Sequence, residues 1–124
     1  MSNAARAMAP QPQPGKLLTD EQVQAAFDWM LRDSAATAAA RAQVLRTEFR
    51  MKKVHARLML QADGAMDVRK ATATCHPEYE AASEAYFAAE EEWTRQLEQR
   101  RKCELIVEAW RTQSSNERGI QRMR

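Results

Sequence analysis

Two cysteines and two histidines are the residues of this chain best suited to nucleophilic or metal chemistry. Cys75 and His76 are adjacent, whereas His55 and Cys103 lie far from them in the sequence. No two of these residues have the CxxC or HxxxH spacing that places two ligands on one zinc ion. A cysteine nucleophile would also need a histidine base held beside it in a pocket. We therefore predict free thiols, no bound metal and no cofactor.

The other features that could support catalysis are carboxylates and glycine-rich loops. Glu90, Glu91 and Glu92 do not form an acid/base pair, because consecutive residues of a helix point about 100° apart. The chain has only three glycines, and they form no phosphate-binding loop. We therefore predict that the protein is not an enzyme.

The distribution of charged residues along the sequence is more informative than its candidate catalytic residues, although the formal net charge is only +2. Residues 41–57 carry six cations and one glutamate, and residues 78–98 carry seven glutamates and one arginine. If the chain reverses near residue 68, residue n faces roughly residue 137 − n and the two blocks meet. Either the blocks neutralise each other and fix the antiparallel register, or the basic block stays free to bind phosphate.

A second basic block lies at the C-terminus. Arg111, Arg118 and Arg122 are expected to extend beyond the paired helices and so to lack acidic partners. Trp110 precedes Arg111, and an exposed aromatic ring beside a guanidinium can stack single-stranded bases. The alternative, which we favour, is that Trp110 closes the hydrophobic core.

The elements that position these residues are predicted to be helices. Thr19 and Gln22 have capping-box spacing, and no proline or glycine follows until Gly64. Apolar residues recur at spacings of three, four or seven in this stretch, which predicts one helix over about 19–62. These residues are Phe27, Leu31, Ala35, Ala38, Ala42, Leu45, Phe49, Ala56 and Leu60.

The rest of the chain divides at its prolines and polar clusters. A connector is predicted over 63–76, and Pro77, with His76 as its cap, begins a helix over about 77–113. Its inner face is a heptad series. The two lines of that series are Tyr79, Tyr86, Trp93, Arg100 and Val107, and Ala82, Ala89, Gln96, Cys103 and Trp110. Residues 1–16 are predicted to be a disordered Pro/Gln-rich leader, and 116–124 a frayed or separately helical basic tail.

Together these elements predict an all-α fold, a long antiparallel two-helix hairpin over 17–115. Both helices also carry a second apolar stripe, which predicts homo-oligomerisation or docking onto a partner. The second stripe comprises Val44, Met51, Val54, Leu58 and Met59, then Phe87, Leu97, Leu105 and Ile106. No apolar run is long enough to span a membrane, and two cysteines are too few for a disulfide framework, so we expect a cytoplasmic protein.

The segment YEAASEAYFAAEEEWTRQLEQRRKCELIVEAWRTQSSNERG, following a basic helix and a Pro-capped connector, resembles small helical proteins of phages and prophages encoded near recombination genes. It also resembles the UvsY-like recombination mediators, in the helix layout of residues 20–115 and in the positions of Tyr79, Trp93 and Trp110. The resemblance implies an oligomeric helical protein that binds single-stranded DNA. It implies that the DNA-contacting residues are Arg46, Arg50, Lys52, Lys53 and Arg57.

The functional prediction is therefore a non-enzymatic, phage-type accessory protein that binds single-stranded DNA in the bacterial host cytoplasm. Its protein partners would be a recombinase or a single-strand-binding protein, as in the family it resembles. The candidate DNA-binding set also includes Arg111, Arg118 and Arg122, with Trp110 as a stacking or core residue. The alternative is a coiled-coil adaptor or inhibitor that binds protein and has no nucleic-acid function.

Overall fold

The computed structural model describes residues 18–123, and these residues form four helices and no strand. The helices are α1 (Asp20–Arg32), α2 (Ser34–Gln61), α3 (Met66–Thr74) and α4 (Pro77–Arg122). The predicted all-α class is confirmed, while the leader predicted at 1–16 lies outside the described residues. The chain divides into two compact units, which are described separately. Of the described residues, 18–35 and 96–123 belong to the terminal unit, and Ala36–Arg95 forms the loop unit.

The start of α1 has the predicted capping box. The Thr19 hydroxyl accepts a hydrogen bond from the Gln22 backbone N–H at 3.2 Å, and Gln22 Oε1 accepts one from the Thr19 N–H at 2.9 Å. Asp20 and Glu21 lie in the first turn, where their negative charge interacts favourably with the helix dipole. The polar groups at this helix end therefore have partners within the chain.

The helix predicted over 19–62 is not continuous. It is broken at Asp33, which has φ −97° and ψ 9° and whose backbone N–H donates to the Trp29 carbonyl at 3.0 Å. The Ser34 hydroxyl donates to the Leu31 carbonyl at 3.4 Å. Aspartate and serine favour helix ends because their short polar side chains compete for nearby backbone groups. The prediction considered only glycine and proline as breakers and missed this pair.

The predicted connector contains a helix of its own. Gly64 has φ +106°, a conformation that disfavours residues with a Cβ, and its carbonyl accepts a hydrogen bond from Arg69 Nε at 2.9 Å. Helix α3 follows, and α4 begins at Pro77 as predicted. His76 acts as the cap, because its Nδ1 accepts a hydrogen bond from the Glu78 N–H at 3.0 Å.

Helix α4 continues to Arg122 instead of ending near residue 113. The expected interruption was the polar run Ser114, Ser115 and Asn116. These residues are weak helix formers but not helix breakers, and each costs at most about 1 kcal/mol relative to alanine. The basic tail is therefore helical up to the end of α4.

The terminal unit packs α1 against the C-terminal part of α4. Its buried residues are Val23, Ala26 and Trp29 of α1 with Cys103, Ile106 and Val107 of α4, and Leu18, Met30 and Trp110 pack against them. The Gln113 side chain exchanges two hydrogen bonds with the Leu18 backbone, both at 3.1 Å. Because the chain entering α1 meets the end of α4, the two helices are antiparallel.

In the loop unit, α2 packs against α3 and the start of α4. Its main cluster is Val54, Leu58, Ala73 and Ala82, with Met51, Met59 and Tyr79 partly buried against it. His55 contacts both neighbours, since its Nε2 lies 3.1 Å from Thr74 Oγ1 and its ring lies edge-on to Tyr79 at 4.9 Å between centroids. The packing is antiparallel here as well.

The stripe predicted to be buried on the first helix is largely the exposed one. Leu31 is 78% exposed, Phe49 69% and Leu60 82%. The residues assigned to a second stripe are the core, because Val44, Val54 and Leu58 are buried. Both stripes have heptad spacing, so spacing alone did not distinguish them. On α4 every residue of the two predicted heptad lines is buried or half-buried. The assignment of Ile106 to the second stripe was wrong, because Ile106 is 1% exposed and packs in the core of the terminal unit.

Cys103 is completely buried in the terminal unit, whereas Cys75 is exposed. Burial raises the pKa of the Cys103 thiol, and the negative charges of Asp33 and Glu104 raise it further. The thiolate is the reactive form, so a raised pKa and an inaccessible sulfur both slow its chemistry. Cys103 therefore behaves as a small apolar core residue.

We predict that a thiol-reactive disulfide reagent at pH 8 modifies Cys75 rapidly and Cys103 on the order of tenfold or more slowly. The Cys75→Ser variant should lose the fast phase and keep the slow one. In denaturant both thiols should react at similar rates. A fast phase that survives in Cys75→Ser would contradict the burial of Cys103.

The two described glycines allow a matched test of the backbone. A Cβ on Gly64 would lie 3.3 Å from Val68 Cγ1 at a positive φ, whereas a Cβ on Gly119 would meet nothing within 4 Å. We expect Gly64→Ala to lower the free energy of unfolding by about 1 to 3 kcal/mol. Gly119→Ala should raise it by up to about 1 kcal/mol. Urea unfolding followed by circular dichroism measures both, and equal signs would refute this assignment.

Candidate nucleic-acid interface

Four of the five cations predicted on the first helix share one side of α2. Arg46, Arg50, Lys53 and Arg57 follow one another at spacings of four, three and four residues, and all four are exposed. This spacing keeps side chains on one flank of a helix. The buried residues of α2, namely Ala40, Val44, Thr47, Val54 and Leu58, follow a parallel series on its inner side. We call the four cations the basic stripe.

Lys52, the fifth predicted residue, does not belong to the stripe. It lies on the other flank of α2, where its ammonium forms an ion pair with Glu48 one turn earlier, at 2.9 Å. Such an exposed pair contributes little stability, yet it neutralises the charge locally. Lys52 is therefore a poorer candidate for phosphate binding than its neighbour Lys53.

The acidic block neutralises little of the stripe. Arg57 forms an ion pair with Glu78 at the start of α4. Within residues 18–123, Arg46, Arg50 and Lys53 form no ion pair. Apart from Glu78 and Glu92, the glutamates of α4 lie on other sides of that helix, and Glu90 accepts a hydrogen bond from Tyr86 Oη at 2.6 Å. Within residues 18–123, ion pairing therefore neutralises the charge of Arg57 but not the charges of Arg46, Arg50 and Lys53.

The flank of α4 next to the stripe carries mostly small, uncharged side chains. Counting on from Glu78, which faces Arg57, the residues on the same side of α4 are Ala81, Ala85 and Ala88, all of them exposed. A methyl group adds no charge and little bulk. Nothing on this part of α4 therefore obstructs an extended ligand lying along the stripe.

The register of the loop unit differs slightly from the expected 137 − n. Arg41 lies over the Trp93 ring at 5.7 Å from its centroid, and the residue numbers of this pair sum to 134. Arg57 and Glu78 sum to 135. Sequence reasoning did not identify the contact between Arg41 and Trp93. This contact occupies one face of the tryptophan, a residue that the resemblance had marked.

Near the contact between Arg41 and Trp93, Tyr86 donates a hydrogen bond to Glu90. That bond raises the pKa of the Tyr86 phenol, and desolvation and the negative charges of Glu90 and Glu48 act in the same direction. Tyr86 therefore stays protonated as a donor.

The C-terminal candidates form a separate set on α4. Arg111, Arg118 and Arg122 recur at spacings of seven and four residues, so they share one side of the helix, and all three are exposed. Arg118 Nε donates to the Ser114 carbonyl at 3.3 Å. In the described part of the chain Arg111 and Arg122 form no ion pair. We call these three residues the C-terminal cations.

The arginines earlier in α4 have partners. Arg100 and Arg101 pair with Glu104 at 3.4 and 3.5 Å, and Arg101 also approaches Glu108 at 3.7 Å. Acidic residues thus neutralise α4 up to Glu108 and leave the C-terminal cations beyond them. This arrangement agrees with the expectation that Arg111, Arg118 and Arg122 lack acidic partners.

Trp110 packs against the buried cluster of the terminal unit. The core interpretation of this residue is therefore supported. Since its indole is only half exposed, a stacking role would compete with that packing. The two tryptophans considered for base stacking, Trp93 and Trp110, are both engaged within the chain.

Comparison of the chain with known protein families, with curated proteins and with solved structures finds no match. The resemblance to UvsY-like mediators therefore stays a prediction. No helix in the described part of the chain is long and apolar enough to cross a membrane. Among the same residues, no group of three or more histidine, cysteine, aspartate or glutamate side chains is placed to hold a metal ion.

Proposed function

We propose that this protein binds single-stranded DNA through the basic stripe and has no catalytic activity. The supporting observation is that three exposed cations on one flank of α2, Arg46, Arg50 and Lys53, form no ion pair within residues 18–123. An unpaired cation on a protein surface can neutralise a phosphate and release its counterion, which is the main source of non-specific affinity for DNA. The role of recombination accessory in a phage or prophage rests on the resemblance alone.

The geometry of the stripe favours a single strand. From Arg46 to Arg57 the helix rises about 16 Å, and the four cations are spread along that length in a nearly straight line. An extended single strand can follow such a line phosphate by phosphate. The phosphates of a duplex wind around its axis and leave the line after a short contact. The bare alanine flank of α4 leaves room for the sugars and bases beside the stripe.

Binding of this kind should depend little on base sequence. Phosphate contacts carry no sequence information, and base selection needs contacts to base edges. Stacking on tryptophan is not available as a major contribution, because Trp93 and Trp110 are engaged within the chain. Salt should therefore be the dominant variable, since each phosphate contact adds to the salt dependence.

The alternative function is protein binding without nucleic acid. The exposed apolar side chains at the turn between α2 and α3 favour it, because Leu60 is 82% exposed, Met66 61% and Val68 51%. A cluster of this kind is typical of interaction surfaces. In that case the stripe would be a solvated helix face and DNA affinity would be weak.

We predict salt-dependent binding of fluorescently labelled oligo-dT, measured by anisotropy at several salt concentrations. Three phosphate contacts, one each from Arg46, Arg50 and Lys53, would give a slope of log affinity against log salt of about −2.1. Replacing these three residues together by glutamine should bring that slope close to zero. At 50 mM salt the same variant should lose on the order of a hundredfold in affinity, at about 1 kcal/mol per contact.

The matched control removes three cations that already have partners, Lys52, Arg100 and Arg101, also by glutamine. It carries the same net charge as the stripe variant, so a specific stripe predicts near wild-type binding for the control. A third variant, with glutamine at the C-terminal cations, tests the other candidate set. No binding of wild type at low salt, or equal losses in the stripe variant and its control, would refute the proposal and favour protein binding.

A further inference from the structure

The outer edge of α2 in the loop unit carries an aromatic ring between two cations. Phe49 is 69% exposed, with Arg46 three residues before it and Lys53 four residues after it. These spacings place all three side chains on the side of the helix away from its buried residues. We call this set the basic edge.

The outer edge of α4 in the same unit carries the same arrangement with the opposite charge. Phe87 is 56% exposed, with Glu84 three residues before it and Glu91 four residues after it. Both glutamates are exposed, and within residues 18–123 neither forms an ion pair. We call this set the acidic edge.

The two edges are complementary when the helices run antiparallel. If Phe49 is placed against Phe87 of a second copy, Arg46 lies one turn away on the side of Glu91. Lys53 then lies one turn away on the side of Glu84. Reversal of the helix direction offsets each charge pair by one residue, about 1.5 Å along the helix axis. These long side chains span that offset, so both pairs can form in one register.

We propose that the basic edge of one copy of this chain binds the acidic edge of another copy. The centre of the contact is the pair of phenylalanine rings, and a desolvated aromatic pair is a common anchor of protein interfaces. The flanking ion pairs set the register and orientation more than the affinity. The contact covers two large apolar side chains that the isolated chain leaves in water.

Charge selects this pairing over the symmetric ones. Two basic edges placed together would bring four cations close to one another, and two acidic edges would bring four glutamates together, so both symmetric pairings are repulsive. Each copy therefore offers one edge to one neighbour and the other edge to a second neighbour. An interface of this type generates a closed ring or an open filament and not a simple two-fold dimer. The inference does not rest on the proposed DNA binding, although the basic edge and the basic stripe share Arg46 and Lys53.

Charge reversal tests the pairing with full-length protein in the absence of nucleic acid. One variant carries Arg46→Glu with Lys53→Glu, and the other carries Glu84→Lys with Glu91→Lys. Sedimentation velocity over about a hundredfold range of concentration gives the mass of each species. We expect wild type to form a species larger than a monomer, and each reversed variant alone to be monomeric.

Mixing the two reversed variants is the decisive measurement. The first variant has two acidic edges and the second two basic edges, so they should associate with each other although neither does so alone. The control Arg50→Gln with Arg57→Gln, which changes the basic stripe but not the basic edge, should keep the wild-type mass. Circular dichroism shows whether each variant remains helical.

Three results would overturn the proposal. If wild-type protein is monomeric over the whole concentration range, the proposed interaction does not occur. Reversed variants with the wild-type mass would show that association uses another surface. A mixture that stays monomeric, although both variants are helical, would show that the edges do not recognise each other.

Discussion

In each of the two units the structure depends on a narrow seam, formed by the heptad positions of α4. Several of its buried positions carry small side chains, Ala82 and Ala89 in the loop unit and Cys103 in the terminal unit, whereas the aromatic positions Tyr79, Tyr86 and Trp93 are only half-buried. Small side chains bury little area each, at about 25 cal/mol per Å² of apolar surface, so helix must pack against helix over a long distance to be stable. A seam of this kind hides only the inner heptad positions and leaves most of each helix surface in water.

This exposure explains why charge is sorted by helix side. Because burial constrains only the inner positions, the outer ones are free to carry charge. On α2 the cations collect on one flank as the basic stripe, while Lys52 on the other flank is neutralised by Glu48. On α4 the glutamates avoid the flank that faces the stripe, apart from Glu78 and Glu92 at its ends, and alanines take their place. Net charge near zero therefore coexists with strongly charged local surfaces.

Sequence predicted those features that depend on a single local interaction. The capping box of Thr19 and Gln22, the turn at Gly64 and the start of α4 at Pro77 each follow from the chemistry of one or two residues. The break at Asp33 and the buried side of α2 were predicted wrongly, because each depends on competition between alternative interactions. Two apolar stripes of similar spacing compete for one partner helix, and only the packing of Val44, Val54 and Leu58 decides between them. The candidate cations were predicted as a block, whereas their division into stripe and paired residues required the same packing.

The DNA site and the self-association surface that we propose share Arg46 and Lys53, and this sharing links the two activities. A cation that contacts a phosphate cannot also pair with a glutamate of a second copy, so the acidic edge would act on the stripe as a competitor of DNA. Arg50 and Arg57 lie on the side of the stripe nearer α4 and belong to DNA binding alone, whereas Phe49 belongs to self-association alone. The two functions are therefore separable by mutation even though they exclude each other at two residues. On this geometry an assembled protein and a DNA-bound protein are alternative states of the same surface.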